Sequence, residues 1–295
     1  MQIAITGANG HLGLKLIHRL QEAGDAVRAL VRSERAAESV RGRFPQVDVR
    51  IVDYADSLGL REASEGCDAL IHLVGIIKES KANTFEQAHE APCRALAEAS
   101  LAVKHVIYLG IVGTHAASKN ACLQSRARAE ALLQNADVPV SILRVPMVLG
   151  PDDYASMSLA RNGQKSLVFG FRTASLEQPI YSGDVVSAIF AATRLDAVNR
   201  ALNLAGPESL SRAQLIKRAG QCFDNEPGVV SLPVSLGYAM AFLFELVSSS
   251  PPVTRAMLGV LDHDDNIDNG PALRELGIEL TPLDETLQAV LLSNA

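Results

Sequence analysis

The chain has 295 residues, with 27 Lys and Arg against 33 Asp and Glu for a formal net charge of −6, and 48% of its residues are hydrophobic. That length and apolar content exclude a disordered chain and a small disulfide-held scaffold, leaving about two domains or one large α/β unit. The acidic balance, with no Lys/Arg-rich block, argues against a nucleic-acid partner, and four scattered cysteines (Cys67, Cys93, Cys122, Cys222) predict reduced thiols with neither disulfides nor a metal site.

In chain order, short β-branched runs predict strands at Gln2–Thr6, Ala26–Val31, Val47–Val52, Ala69–Leu73, Val106–Leu109 and Ser141–Leu143. Helical spacing predicts helices at Leu12–Glu22, Phe85–Ser100 and Leu123–Gln134, so residues 1–150 read as a doubly wound, Rossmann-type parallel sheet. Residues 151–295 read as a smaller, mostly helical C-terminal domain, intertwined with the sheet around 178–205. Its helices are predicted at Asp184–Arg194, Arg212–Cys222, Val234–Val247 and Thr254–Leu261, and Ser156–Arg172 reads as a loop and lid on the substrate side. The first residues form a strand-like run without a basic leader, and the most apolar stretch, Val234–Val247, falls short of the roughly 18 residues of a membrane span. A cytoplasmic protein is expected, with peripheral membrane association as the alternative.

The run Thr6-Gly7-Ala8-Asn9-Gly10-His11-Leu12-Gly13 carries the chemistry. Its three glycines sit between the first strand and the first helix, where a dinucleotide-binding loop needs a tight turn, close backbone approach to a pyrophosphate and close helix packing. In a site for NAD(H), an acidic residue about 20 positions further on would accept from the ribose 2′-hydroxyl. The second strand instead ends in Val31-Arg32-Ser33, a cation and a hydroxyl suited to a 2′-phosphate, with Arg35 as a further donor, so NADP(H) is favoured and NAD(H) is second choice. Asp53 is placed to accept from an adenine amino group or to serve as a turn residue. Val74-Gly75 is placed to run beneath the adenine ribose or simply to end a strand.

These motifs, with Leu73–Ile77, Phe85–His89, Leu143-Arg144-Val145-Pro146, Gly150-Pro151, Gln178–Tyr181 and Asp184–Val186, resemble the atypical short-chain dehydrogenase/reductase superfamily. The particular likeness is to its branch of NmrA-like proteins and the nucleotide-binding accessory subunit of respiratory complex I. Pro251–Thr254, Asp265–Ile267 and Leu276–Ile278 resemble the complex I branch. The resemblance implies a cleft between a Rossmann domain and a small substrate domain, with Pro146 beside the cofactor. It also implies a Ser, a Tyr and a Lys as catalytic groups, and the sequence departs from all three: Gly110 stands for the serine, Cys122 for the tyrosine and Arg126 for the lysine. Arg126 retains a cation for the cofactor ribose, whereas Gly110 has no hydroxyl and Cys122 is a poor proton donor.

Tyr108, Tyr181, His89 and His115 are candidate replacement donors. Tyr108 and His89 also read as packed residues, and Lys78, Lys81 and Lys119 as solvated ones. Asp152-Asp153 reads as a substrate contact or a loop cap, and Asp262–Asp265 with Asp268 as an acidic turn. Leu236, Met240, Phe242, Leu243, Phe244 and Val247, with Glu245 as the one charge, form an apolar helix. It packs in a core or docks on a protein or membrane partner. The expected protein binds a dinucleotide at a degenerate catalytic site and serves as an accessory or sensor module, linked to a respiratory or quinone system. The alternative is an NAD(P)-dependent oxidoreductase, acting on a small or lipid-derived substrate with a non-standard proton donor.

Overall fold

The computed structural model describes residues 1–80, 83–247, 255–260 and 264–292. It opens with β1 (Gln2–Thr6), whose Ile3, Ala4 and Ile5 are fully buried, as a central strand covered on both faces requires. α1 (His11–Glu22) then turns Leu16, Ile17 and Leu20 inward. The next elements are β2 (Ala26–Val31), α2 (Glu34–Arg43), β3 (Asp48–Ile51), α3 (Ser57–Ser64) and β4 (Ala69–His72). α2 and α3 bury only two residues each, Ala37 with Val40 and Leu60 with Ser64, so neither writes a strong apolar period into the sequence.

The predicted helix at Phe85–Ser100 is two pieces, a π-helical stretch at Glu86–Glu90 followed by α4 (Ala91–Glu98). Pro92 supplies the reason: it has no N–H to donate back to residue 88, and its ring crowds the preceding turn. Next come β5 (His105–Ile111), α5 (Ala121–Gln134), β6 (Val140–Val145), β7 (Val148–Leu149), α6 (Tyr154–Gly163), β8 (Leu167–Phe171), β9 (Leu176–Glu177) and β10 (Ile180–Tyr181). α7 (Ser182–Ala192), β11 (Arg200–Asn203), β12 (Leu210–Ser211), α8 (Arg212–Gln221) and β13 (Gly228–Leu232) follow, then α9 (Val234–Val247), α10 (Arg255–Val260), α11 (Gly270–Leu276) and α12 (Leu283–Leu291). The loop and lid expected over Ser156–Arg172 is corrected: α6 occupies its first half and β8 its end. Asp153 caps α6, with Oδ1 accepting from the Ser156 N–H at 2.8 Å.

Seven strands form a parallel sheet flanked by helices, in the order β11-β6-β5-β4-β1-β2-β3, which is the expected Rossmann-type arrangement. One compact unit, Met1–Arg144 with Val186–Leu202 and Arg274–Ile278, has a core in which Ala4, Leu30, Leu70 and Val106 pack with Leu96 and Leu133. On edge strand β3, Asp48 accepts from Arg28 Nε at 2.7 Å and from Arg50 Nε at 2.9 Å. The second unit, Val145–Val185 with Asn203–Leu273 and Glu279–Ala295, has its own core around Leu149, Leu159, Val168, Leu215 and Leu287. Besides its helices it contains a parallel pair, β8 with β13, that periodicity did not reveal. Among the described residues no helix is long and apolar enough to cross a membrane, and the four cysteines are free thiols.

Candidate functional site

Parallel register brings the first unit's candidate residues to one edge of its sheet. Thr6 pairs with Leu30 and His72, Val31 with Ile51, and His72 with Tyr108, so the segments after β1, β2, β3 and β4 leave the sheet side by side. This is the carboxyl edge, where doubly wound sheets bind ligands. Thr6 is buried there, its hydroxyl 2.7 Å from His72 Nδ1 and donating to the Ile71 carbonyl at 3.4 Å, while its own carbonyl accepts from the Leu73 N–H at 3.3 Å. Gly7 adopts φ +72°, a conformation that L side chains rarely enter. Its N–H donates at 2.9 Å to Tyr54 Oη, which donates at 2.6 Å to the Leu30 carbonyl.

Asn9 and Gly10 are exposed, and Gly10 begins α1 without a side-chain cap and with no acid in the first turn. The contrast with α2, α3, α5 and α6 is direct, since Ser33, Asp56, Asn120 and Asp153 each accept from a first-turn amide. His11 is exposed and Leu12 half-buried in that uncapped turn. Gly13 is buried, and a Cβ there would lie 2.6 Å from the carbonyl oxygens of Gly7 and Ala8. Arg32 is exposed, its guanidinium 5.8 Å from the Tyr54 ring centroid. Ser33 Oγ accepts from the Ala36 N–H at 3.3 Å, and Asp53 Oδ1 accepts from the Ala55 N–H at 3.0 Å.

The three positions compared above with the superfamily's Ser, Tyr and Lys lie on β5 and α5. A Cβ on Gly110 would lie 2.7 Å from Glu130 Oε1, and Glu130 is a buried partner of Arg144, whose Nη2 donates to Oε2 at 2.6 Å. Cys122 is buried in the first turn of α5, with Sγ 3.6 Å from the Ile76 carbonyl, and burial pushes its thiol up to about 11. Arg126, one turn on, is 7% exposed, and its Nη1 donates to Tyr108 Oη at 2.8 Å, to the Leu109 carbonyl at 3.3 Å and to the Val74 carbonyl at 3.4 Å. Gly75 is exposed directly over the guanidinium.

Tyr108 is fully buried and stacks on His72, with centroids 5.7 Å apart. His89 is buried against Phe85, its Nε2 engaging the backbone of Ile76. Burial and the Arg126 charge hold both histidines down to about 3, so they are neutral imidazoles. His115 and Lys119 are exposed, whereas Pro146, Asp152, Asp153 and Tyr181 fall in the second unit. Sequence reasoning missed the Tyr54 bridge, the His72–Tyr108–Arg126 stack and the Glu130–Arg144 pair, because each joins residues far apart in the chain. No cluster of metal-ligating side chains occurs among the described residues. Lys81, Pro251–Thr254, Asp262 and His263 lie outside those residues, as do the side chains of Glu245 and Val247.

A family model described as NAD(P)H-binding matches residues 7–167. The chain is 26% identical over 249 residues to the mitochondrial NADH dehydrogenase [ubiquinone] 1 alpha subcomplex subunit 9 of Arabidopsis thaliana, covering 80% of this chain and 61% of that protein. It is 28% identical over 170 residues to a ceramide reductase of Caulobacter vibrioides, covering 56% of this chain and 52% of the relative. It thus spans less than two thirds of either relative's length. Among solved structures, a Citrobacter triphenylmethane reductase aligns with a TM-score of 0.76 at 22% identity, covering 99% of both chains, which shows a shared fold. The chain belongs to the NAD(P)H-binding family, within the atypical short-chain dehydrogenase/reductase superfamily.

Proposed function

We propose that this protein binds NADP(H) as an accessory or sensor module and has little carbonyl-reducing activity of its own. The observation that carries the reading is the uncapped start of α1, where the amides of His11, Leu12 and Gly13 have no side-chain cap while α2, α3, α5, α6 and α8 each have one. A helix start of this kind, entered through a Gly7 turn and packed closely at Gly13, fits a pyrophosphate. Arg32 and Ser33 would meet a 2′-phosphate, with Asp53 toward the adenine, Val74-Gly75 beneath the adenine ribose and Arg126 toward the nicotinamide ribose. A bound nicotinamide dinucleotide would supply hydride chemistry. This chain has no hydroxyl at Gly110, and at Cys122 it holds a buried neutral thiol aimed at a carbonyl, so a proton donor is missing where the superfamily keeps one.

The Arabidopsis relative's name places it in a respiratory enzyme, and α9 exposes Leu236, Met240, Phe242 and Leu243. Together these support docking on a protein partner, at a membrane-associated assembly. The Caulobacter relative's name favours a second reading, an NAD(P)-dependent oxidoreductase with another donor. Calorimetric titration of NADPH into wild type and Gly10→Val tests the first reading. Wild type is expected to bind while the variant, folded by circular dichroism, does not; equal affinities would show that the loop misses the phosphates.

A further inference from the structure

A buried cation ordinarily meets an anion, because desolvating a guanidinium is costly unless charge and hydrogen bonds compensate it. Arg144, Arg194, Arg200, Arg212 and Arg218 follow that rule, facing Glu130, Asp25, Glu275, Glu177 and Glu208. Arg126 is more buried than any of them, yet no carboxylate lies within ion-pair distance of it among the described residues. Its Nη1 meets only neutral oxygens, those of Tyr108, Val74 and Leu109, and its buried Nε has no hydrogen-bond partner. The aromatic and imidazole groups around it, Tyr108, His72 and His89, are neutral. Glu130, one turn further along α5, is committed to Arg144 through three hydrogen bonds.

Residue 75 lies directly against the guanidinium. A Cβ at that position would lie 1.7 Å from Nη2, so any residue but glycine would displace the arginine, and Gly75 itself is exposed. The arrangement is a fixed positive charge beneath a side-chain-free window at the carboxyl edge of the sheet.

We propose that Arg126 is an oxyanion-binding residue, taking a carboxylate or phosphate oxygen of a small ligand at the Gly75 window. The inference rests on reading this edge as a dinucleotide site and goes further by specifying a full negative charge where the superfamily's lysine meets neutral ribose hydroxyls.

The test titrates oxalate and inorganic phosphate into the protein, free and saturated with NADPH, for wild type, Arg126→Gln, Arg126→Lys and Gly75→Ala, with melting curves confirming that each is folded. At least one anion is expected to bind wild type at least tenfold more tightly than Arg126→Gln, with Arg126→Lys intermediate. Gly75→Ala should lose binding although the arginine is still present. Binding that survives NADPH saturation assigns the oxyanion to a second ligand. Competition with NADPH assigns it to the dinucleotide's own phosphates, whereas a loss of NADPH affinity in Arg126→Gln with no anion binding to wild type is what a ribose contact gives and overturns the proposal. Should Arg126→Gln fail to fold, Arg126→Lys and Gly75→Ala carry the comparison. Anion and NADPH affinities that match across wild type and the folded variants, or anions that bind nowhere with NADPH unaffected, overturn the proposal. A wild type that ignores NADPH would defeat the dinucleotide reading alone, because the titration of the free protein still decides the role of Arg126.

Discussion

Arg32 stands exposed at the end of β2, where the acid of an NAD(H) site would be, and a charge-assisted contact from it to a 2′-phosphate, as proposed, would be worth roughly 1.5–3 kcal/mol. Wild type is therefore expected to prefer NADPH over NADH by at least about tenfold, and Arg32→Ala to abolish the preference; parallel titrations of both cofactors measure it. With Gly110, Cys122 and Arg126 read as replacing the superfamily's catalytic groups, as proposed, wild type is expected to show almost no carbonyl reduction, and Cys122→Ala to leave any residual NADPH oxidation unchanged. Turnover at an ordinary rate of about 10 s⁻¹ would mean that another residue is the acid. Gly110→Ser cannot be a simple restoration, since its Cβ meets Glu130 Oε1 at 2.7 Å. The glycine loop was legible because a turn, a close approach and a tight packing contact each demand glycine at a fixed spacing. The burial of Arg126 was not legible, for it depends on Tyr108 of β5 and on Gly75 in the segment after β4.

At the scale of elements, legibility tracked apolar content in the first unit and in α6, whereas α12, with Leu283, Leu287, Val290 and Leu291 buried, went unread despite it. β1, β2 and β4 are dense buried runs and stood out, whereas α2, α3 and α6 carry few inward residues and were missed or read as loop. Pro92 was visible in the sequence, but its effect, a π-helical stretch in place of one continuous helix, depends on how the chain on either side is held. α5 bears both Cys122 and Arg126, and its first turn is fixed by Asn120 Oδ1, which accepts from the Leu123 N–H at 3.1 Å. Asn120→Ala is expected to cost about 1 kcal/mol, read by urea denaturation. A loss no larger than that of an ordinary exposed substitution would show that the cap does not hold the turn.

For the molecule as a whole, His72 and His89, along with His105, which burial also holds below its ordinary value, contribute to the response to acid. The folded values of His72 and His89, about 3, lie below the ordinary 6.5, so the unfolded chain takes up protons first as pH falls. The stability they allow is complete above pH 6.5 and is lost progressively from there toward pH 3, at about 1.4 kcal/mol per pH unit for each histidine. His89→Gln, which can keep a hydrogen bond to Ile76, is expected to remove one proton's worth of that slope in unfolding measured from pH 7 to pH 4.

The β3 edge has a different consequence, for the protein in concentrated solution. An open strand at the end of a sheet offers its peptide groups to any neighbouring chain. Here Asp48 draws Arg28 and Arg50 alongside that border, and burial opposes but does not overcome their hydrogen bonds, which hold its carboxyl below the usual range. The charges act as a guard against sheet-to-sheet stacking between molecules. Asp48→Val with Arg50→Val would leave Ile51, already 48% exposed, in a continuous apolar border, and light scattering on mild heating is expected to rise well before that of the wild type.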